Sequence, residues 1–78
     1  MRDLVSLVEY IAKTLVSHPE AVEVVEIPKR HLTVIELRVA PDDMGRVIGK
    51  EGRVANAIRT LIRTATADSG MRYVLDIT

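Results

Sequence analysis

The sequence contains no cysteine, no phenylalanine and no tryptophan. Without cysteine there can be no disulfide, no thiolate nucleophile and no thiolate zinc site. With Tyr10 and Tyr73 as the only aromatic residues, any core must be aliphatic. No segment approaches the roughly 20 consecutive apolar residues that a membrane-spanning helix requires, so no membrane partner is expected. The opening residues, Met1-Arg2-Asp3-Leu4-Val5, carry an acid early and show no Ala-x-Ala site. They do not read as a signal peptide, and the cytoplasm is the expected compartment.

Net charge is also lacking: eleven Lys and Arg balance eleven Asp and Glu. That balance conceals an asymmetry. Residues 1–43 hold five basic and eight acidic residues, a net of −3, whereas residues 44–78 hold six and three, a net of +3. From Arg46 to Arg63 there are five cations and one acid, Glu51. A phosphate backbone responds to the charge within a Debye length of about 8 Å, not to the total. The local field therefore admits a polyanionic partner, and a solvated helix face is the bland alternative.

What is present is enough for one domain. At 78 residues the chain has room for a single core, and 47% apolar composition supplies a thin one. A domain of this size buries only about 60% of the surface its unfolded chain exposes. A small binding module is the natural expectation; deep enzyme clefts generally need more scaffold.

Periodicity divides the chain into six elements. Leu4, Leu7, Val8, Ile11 and Leu15 recur at helical spacing from Asp3, the expected N-cap, to about Ser17. His18-Pro19 ends that helix, because the residue before proline is pushed out of the α region. Val5, Ala12 and Val16 widen its apolar face, which implies deep packing or a partner. Two β-branched runs follow, 22–27 and 32–39, joined by Pro28-Lys29-Arg30-His31. In the second run Thr33, Ile35, Leu37 and Val39 share one face, and Glu36 and Arg38 the other. Pro41-Asp42-Asp43 reads as a helix start with an aspartate cap, leading a short helix to about Ile48. A long helix runs from Arg53 to about Ala67, with Val54, Ile58, Leu61, Ile62 and Ala65 as its core stripe. Gly70 suits a left-handed end, and 71–77 form the last strand. The order α-β-β-α-α-β makes an α+β fold: a three-stranded sheet covered on one face by three helices. The final crossover passes through two helices, so a parallel, right-handed connection is expected.

The informative segment is Arg46-Val47-Ile48-Gly49-Lys50-Glu51-Gly52-Arg53. Two glycines three apart join two helices and let a nucleic-acid backbone approach the peptide groups. The start of the second helix favours an anion. Lys50 and Arg53 add charge beside it, and Val47 and Ile48 would anchor the short helix. Taken alone, the four loop residues would more often be a simple turn. They fit neither the P-loop nor the dinucleotide spacing.

In its context, Val47-Ile48-Gly49-Lys50-Glu51-Gly52-Arg53 resembles the signature of KH domains, and the helix-first order resembles their type II arrangement. The stretch from Val39-Ala40-Pro41 through Ala57-Ile58-Arg59 is similar to the small bacterial KhpA proteins, and the likeness covers essentially the whole chain. It implies a groove for about four unpaired nucleotides, with the Gly49–Gly52 loop clamping their backbone. The RNA-binding residues it implies are Val47, Ile48, Gly49, Lys50, Glu51, Gly52 and Arg53, with Arg46, Asn56 and Arg59 beside them. The groove floor would include one face of the two loop-flanking helices and the strand 32–39. The likeness further implies a post-transcriptional regulator or RNA chaperone, and a homodimer or a heterodimer with a larger KhpB-type protein. Glu51 departs from an ideally cationic loop. The scarcity of aromatic rings fits, since RRM and OB modules stack bases on rings that this chain lacks.

Other residues invite sharper readings. His18 and His31 are thirteen apart with only Glu20 as a further ligand nearby, and read as surface histidines. Ser6, Ser17 and Ser69 sit in no nucleophile elbow, and Asp42 and Asp43 read as caps rather than catalytic carboxylates. No enzyme, metal or cofactor is expected. Arg59 and Arg63, four apart, could extend a phosphate track or merely confer solubility. A KH fold used mainly to dock a protein is the alternative to RNA binding.

Overall fold

The computed structural model describes residues 4–78. The expected cap Asp3 lies outside them. Helix α1 (Leu4–Leu15) is followed by a 3-10 turn at Pro19–Ala21, strands β1 (Glu23–Pro28) and β2 (Thr33–Arg38), and a second 3-10 turn at Pro41–Asp43. Helix α2 (Met44–Ile48), a third turn at Lys50–Gly52, helix α3 (Arg53–Ala65) and strand β3 (Tyr73–Ile77) complete the order. The six elements follow the sequence reading, with ends shifted by one or two residues. No helix among the described residues is long and apolar enough to cross a membrane.

The sheet runs β1-β2-β3. Strands β1 and β2 are antiparallel, with Val24 opposite Leu37 and Ile27 opposite Val34. The hairpin is closed by the Lys29 N–H donating to the Leu32 carbonyl at 2.7 Å. Strands β2 and β3 are parallel, Ile35 facing Leu75 and Leu37 facing Ile77, as a crossover through α2 and α3 requires. The period of two in β2 is strict: Thr33, Ile35 and Leu37 are buried, and Val34 and Glu36 are half-buried on the other face.

The helices share the face of Ile35 and Leu37. Both residues are fully buried with Val8 and Ala12 of α1, Val47 of α2, Ile58 and Ile62 of α3, and Leu75. Each such Val, Leu or Ile side chain contributes about 1.5–3 kcal/mol by leaving water. The α1 stripe Leu4, Val8 and Ala12 repeats every fourth residue, which keeps it on one side of the helix.

Two expectations are corrected. Leu61 is 48% exposed, and Ala55 at 3% takes its place in the core. The buried side of α3 is centred on Ala55, Ile58 and Ile62, and a residue adjacent to Ile62 is turned about 100° away from it. Asp43 makes no capping bond. The 3-10 turn already supplies acceptors, with the Asp43 N–H on Ala40 and the Met44 N–H on Pro41. The Asp43 carboxylate is therefore free to turn inward. It is 1% exposed and accepts the Ser17 and His18 N–H groups, each at 3.0 Å.

Candidate nucleic-acid interface

The loop between α2 and α3 owes its shape to its backbone. Gly49 has φ 77° and ψ 170°, a region open essentially to glycine alone. Glu51 (φ 58°) and Gly52 (φ 76°) follow in the left-handed region. Three of four consecutive residues thus have positive φ, and the chain reverses within one turn. The Gly49 N–H donates to the Gly45 carbonyl at 2.8 Å and the Gly52 N–H to the Gly49 carbonyl at 3.1 Å. The Arg53 N–H closes onto Lys50.

This turn is pressed against α3. A Cβ on Gly49 would stand 2.5 Å from Val54 Cγ2 and 2.9 Å from the Val54 nitrogen. On Gly52 it would meet only Asn56 Nδ2, at 3.9 Å. The first glycine is thus required by both packing and conformation, the second by conformation. Gly52 also occupies the N-cap of α3 with no side-chain bond. The Arg53 N–H is taken by the Lys50 carbonyl, and this end of α3 carries the side of the helix dipole that favours an anion.

The structure divides the apolar pair before the loop. Val47 is fully buried and anchors α2, whereas Ile48 is 37% exposed beside the loop. Lys50 is exposed and has no ion-pair partner among the described residues. Arg53 lies 3.3 Å from Glu51, both well exposed. Arg46 Nε lies 3.5 Å from Asp43 Oδ1, so its charge is partly spent on the protein. Gly52, Asn56 and Arg59 fall at i, i+4 and i+7, on one side of α3. Arg59 Nη1 donates to Asn56 Oδ1 at 3.2 Å along that side.

Asp43 ties this site to the rest of the fold. The Ser17 N–H lowers its carboxyl below the usual aspartate range; the His18 N–H and the nearby His18 and Arg46 charges act in the same direction against the cost of burial. The end of α1 and the start of α2 are thereby held together across 26 residues of sequence. Spacing alone gave no sign of this contact.

The edge strand beside α3 is β3. β2 is central and its helix-side residues are covered. The Thr33 N–H donates to the Arg72 carbonyl, and Thr78 exchanges bonds with Leu37 and Val39. By the two-residue period, the backbone groups of Tyr73, Leu75 and Ile77 therefore point to the free edge. Between this edge and the C-terminal half of α3 opens a cleft of about 490 Å³, lined by Arg59, Arg63, Arg72, Ile62, Tyr73 and Leu75 among others.

Comparison with known proteins agrees with this architecture. The family described as KhpA/KhpB, KH domain matches residues 5–77. An RNA-binding protein KhpA of Caldanaerobacter subterraneus is 54% identical over 71 residues, covering 91% of this chain and 95% of the relative. One of Clostridium acetobutylicum is 49% identical over 71 residues, with the same coverage of both chains. One of Aquifex aeolicus is 46% identical over 77 residues, covering 99% of this chain and 98% of its own length. No solved structure gives a significant match. Profile and relatives, on top of the sheet order and the loop, establish that the chain belongs to the KhpA/KhpB family of KH domains.

Proposed function

We propose that this chain binds single-stranded RNA by clamping the backbone of about four nucleotides with the Gly49–Gly52 loop, and acts in the cytoplasm as a post-transcriptional regulator or RNA chaperone. The observation that carries this reading is the loop itself. Gly49 is locked against Val54, and Lys50 stands exposed just before the start of α3, which has no side-chain cap. A phosphate can reach those peptide groups because neither glycine presents a side chain. Lys50 contributes charge that no protein carboxylate offsets. Ile48 and the free edge of β3 offer apolar contact and hydrogen-bonding groups to the bases, which suits a protein poor in rings. The relatives' name, RNA-binding protein, supports the same reading.

Four nucleotides make a short footprint, so the domain is proposed to work paired, with a second copy or with a KhpB-type protein. Joined clamps make the second contact intramolecular and can raise avidity about 100-fold or more. Of the surplus apolar residues, Val16 packs on the core. Tyr10 at 72% and Leu61 at 48% exposure remain for a partner. That observation also favours a second reading, in which a docked protein is the main ligand.

Salt titration with a tetranucleotide tests the clamp. Neutralising about three or four phosphates, each adding about 0.7, gives a slope of log affinity against log salt near −2 to −3. Single strands should bind better than duplex. Salt-insensitive binding, or a preference for duplex, would contradict the proposed geometry.

A further inference from the structure

Helix α2 carries the loop, yet little holds it. It has five residues, too few to be stable by propensity alone. Gly45, Arg46 and Ile48 are exposed and Met44 is half-buried, so Val47 is its only buried residue. A Cβ on Gly45 would meet nothing within 4 Å, which leaves that side of the helix open. One buried side chain fixes a point and not a direction.

Asp43 supplies the second point. Its carboxylate lies at the start of α2 and is 1% exposed. Oδ1 accepts the Ser17 N–H and Oδ2 the His18 N–H, each at 3.0 Å, and Arg46 Nε approaches Oδ1 at 3.5 Å. Hydrogen bonds to an ionised acceptor are roughly twice as strong as neutral ones. The two donors belong to the segment leaving α1, and α1 is packed into the core through Leu4, Val8 and Ala12. Asp43 and Gly49 are about 9 Å apart along the helix, at 1.5 Å per residue. Any tilt permitted at Asp43 is therefore delivered to the loop.

From this we infer that Asp43 is a positioning residue for RNA binding: its bonds to Ser17 and His18 hold α2 in the direction that presents the Gly49–Gly52 loop to the phosphates. The inference rests on the RNA-binding reading above and adds to it a residue too deeply buried to touch RNA. Ser17 and His18 take part through their backbone N–H groups, so neither side chain is required.

The sign of one substitution separates positioning from electrostatics. Asp43→Asn removes an acid near the loop and releases Arg46, so charge alone predicts tighter RNA binding. Positioning predicts weaker binding. The new NH2 must face one of the two N–H donors, α2 loosens, and affinity falls with the fraction of molecules whose loop is in place. A fraction between about one in three and one in ten lowers affinity about three- to ten-fold.

The test titrates a single-stranded tetranucleotide at several salt concentrations, in the cold, into the parent, Asp43→Asn and Leu4→Ala. Leu4 is buried at the other end of α1, so its truncation weakens the core without touching the Asp43 bonds. Asp43→Asn should bind about three- to ten-fold more weakly, with the parent's salt slope, because no phosphate contact is lost. Leu4→Ala, where folded, should bind as the parent does. Unchanged or tighter binding by Asp43→Asn would overturn the inference and leave the clamp standing, as would an equal loss in Leu4→Ala. Failure of the parent to bind would remove the RNA reading and the inference together. Should Asp43→Asn not fold, hydrogen exchange of the parent decides. The Gly49 amide, bonded to the Gly45 carbonyl at 2.8 Å, should share one protection with the Ser17 and His18 amides, below that of Ile35 in β2. Opening of Gly49 while Ser17 and His18 stay protected would overturn the inference.

Discussion

Gly49 and Val54 are in such close contact that a methyl group on the glycine would stand 2.5 Å from Val54 Cγ2. Gly49→Ala therefore combines a Gly-only backbone, which costs about 1–3 kcal/mol when forced, with a clash of the overpacking kind, about 1–3 kcal/mol more. Gly52→Ala meets only a left-handed penalty of about 1–2 kcal/mol, since its nearest neighbour would be 3.9 Å away. Urea unfolding should rank Gly49→Ala as the more destabilising by at least about 1 kcal/mol. Equal losses would show that Val54 yields freely.

Asp43 makes a pH prediction. Its carboxyl is held below the ordinary aspartate range, first by the Ser17 N–H. A group with a lowered folded pKa contributes stability that is complete above its unfolded value, about 3.9. That stability is lost as pH falls through the folded value. Asp43→Asn would set an amide NH2 against one of two backbone donors, so it should melt below the parent at pH 7. The gap between the two melting temperatures should narrow below about pH 4. A gap that stays constant down to pH 2 would mean the carboxylate charge adds nothing.

Glu51 combines an unfavourable backbone with an unfavourable charge. It sits at φ 58° and holds Arg53 at 3.3 Å. Asparagine tolerates that conformation well, and Glu51→Asn would release Arg53 to the ligand. RNA affinity should rise by a factor of about 1.4 to 5, in keeping with the 0.2–1 kcal/mol typical of one exposed ion pair. Weaker binding by this variant would give Glu51 a direct role in holding RNA.

Assembly is tested by light scattering after size exclusion at tens of micromolar. A mass near twice the 8.7 kDa of one chain is expected, and Leu61→Asp should shift it toward one if exposed Leu61 lies in the interface. A clean monomer for the parent, with no KH protein recovered from extracts, would contradict pairing.

The features legible in the sequence were those set by neighbours along the chain. The alternation of Thr33, Ile35 and Leu37, the helix stop before Pro19, and the glycine pair around Lys50 each depend on residues within a turn or two. The rest depended on contacts between distant segments. Asp43 resembled a cap because its partners, Ser17 and His18, lie about 25 residues upstream. Leu61 resembled core because it is apolar and next to Ile62, whereas packing against the sheet centres the buried side of α3 on Ala55, Ile58 and Ile62. The cleft arises where Arg72 and Tyr73 meet Arg59 and Arg63, and strand order alone brings them together.

The most direct test of the clamp is a gel-shift titration of single-stranded RNA with Lys50→Asp/Glu51→Asp. Both positions are exposed, and aspartate is accepted at the left-handed position 51, so the circular-dichroism melt should match the parent. Two acids at the point where the glycines admit phosphates should abolish binding. Undiminished affinity with an unaltered melt would contradict the RNA clamp.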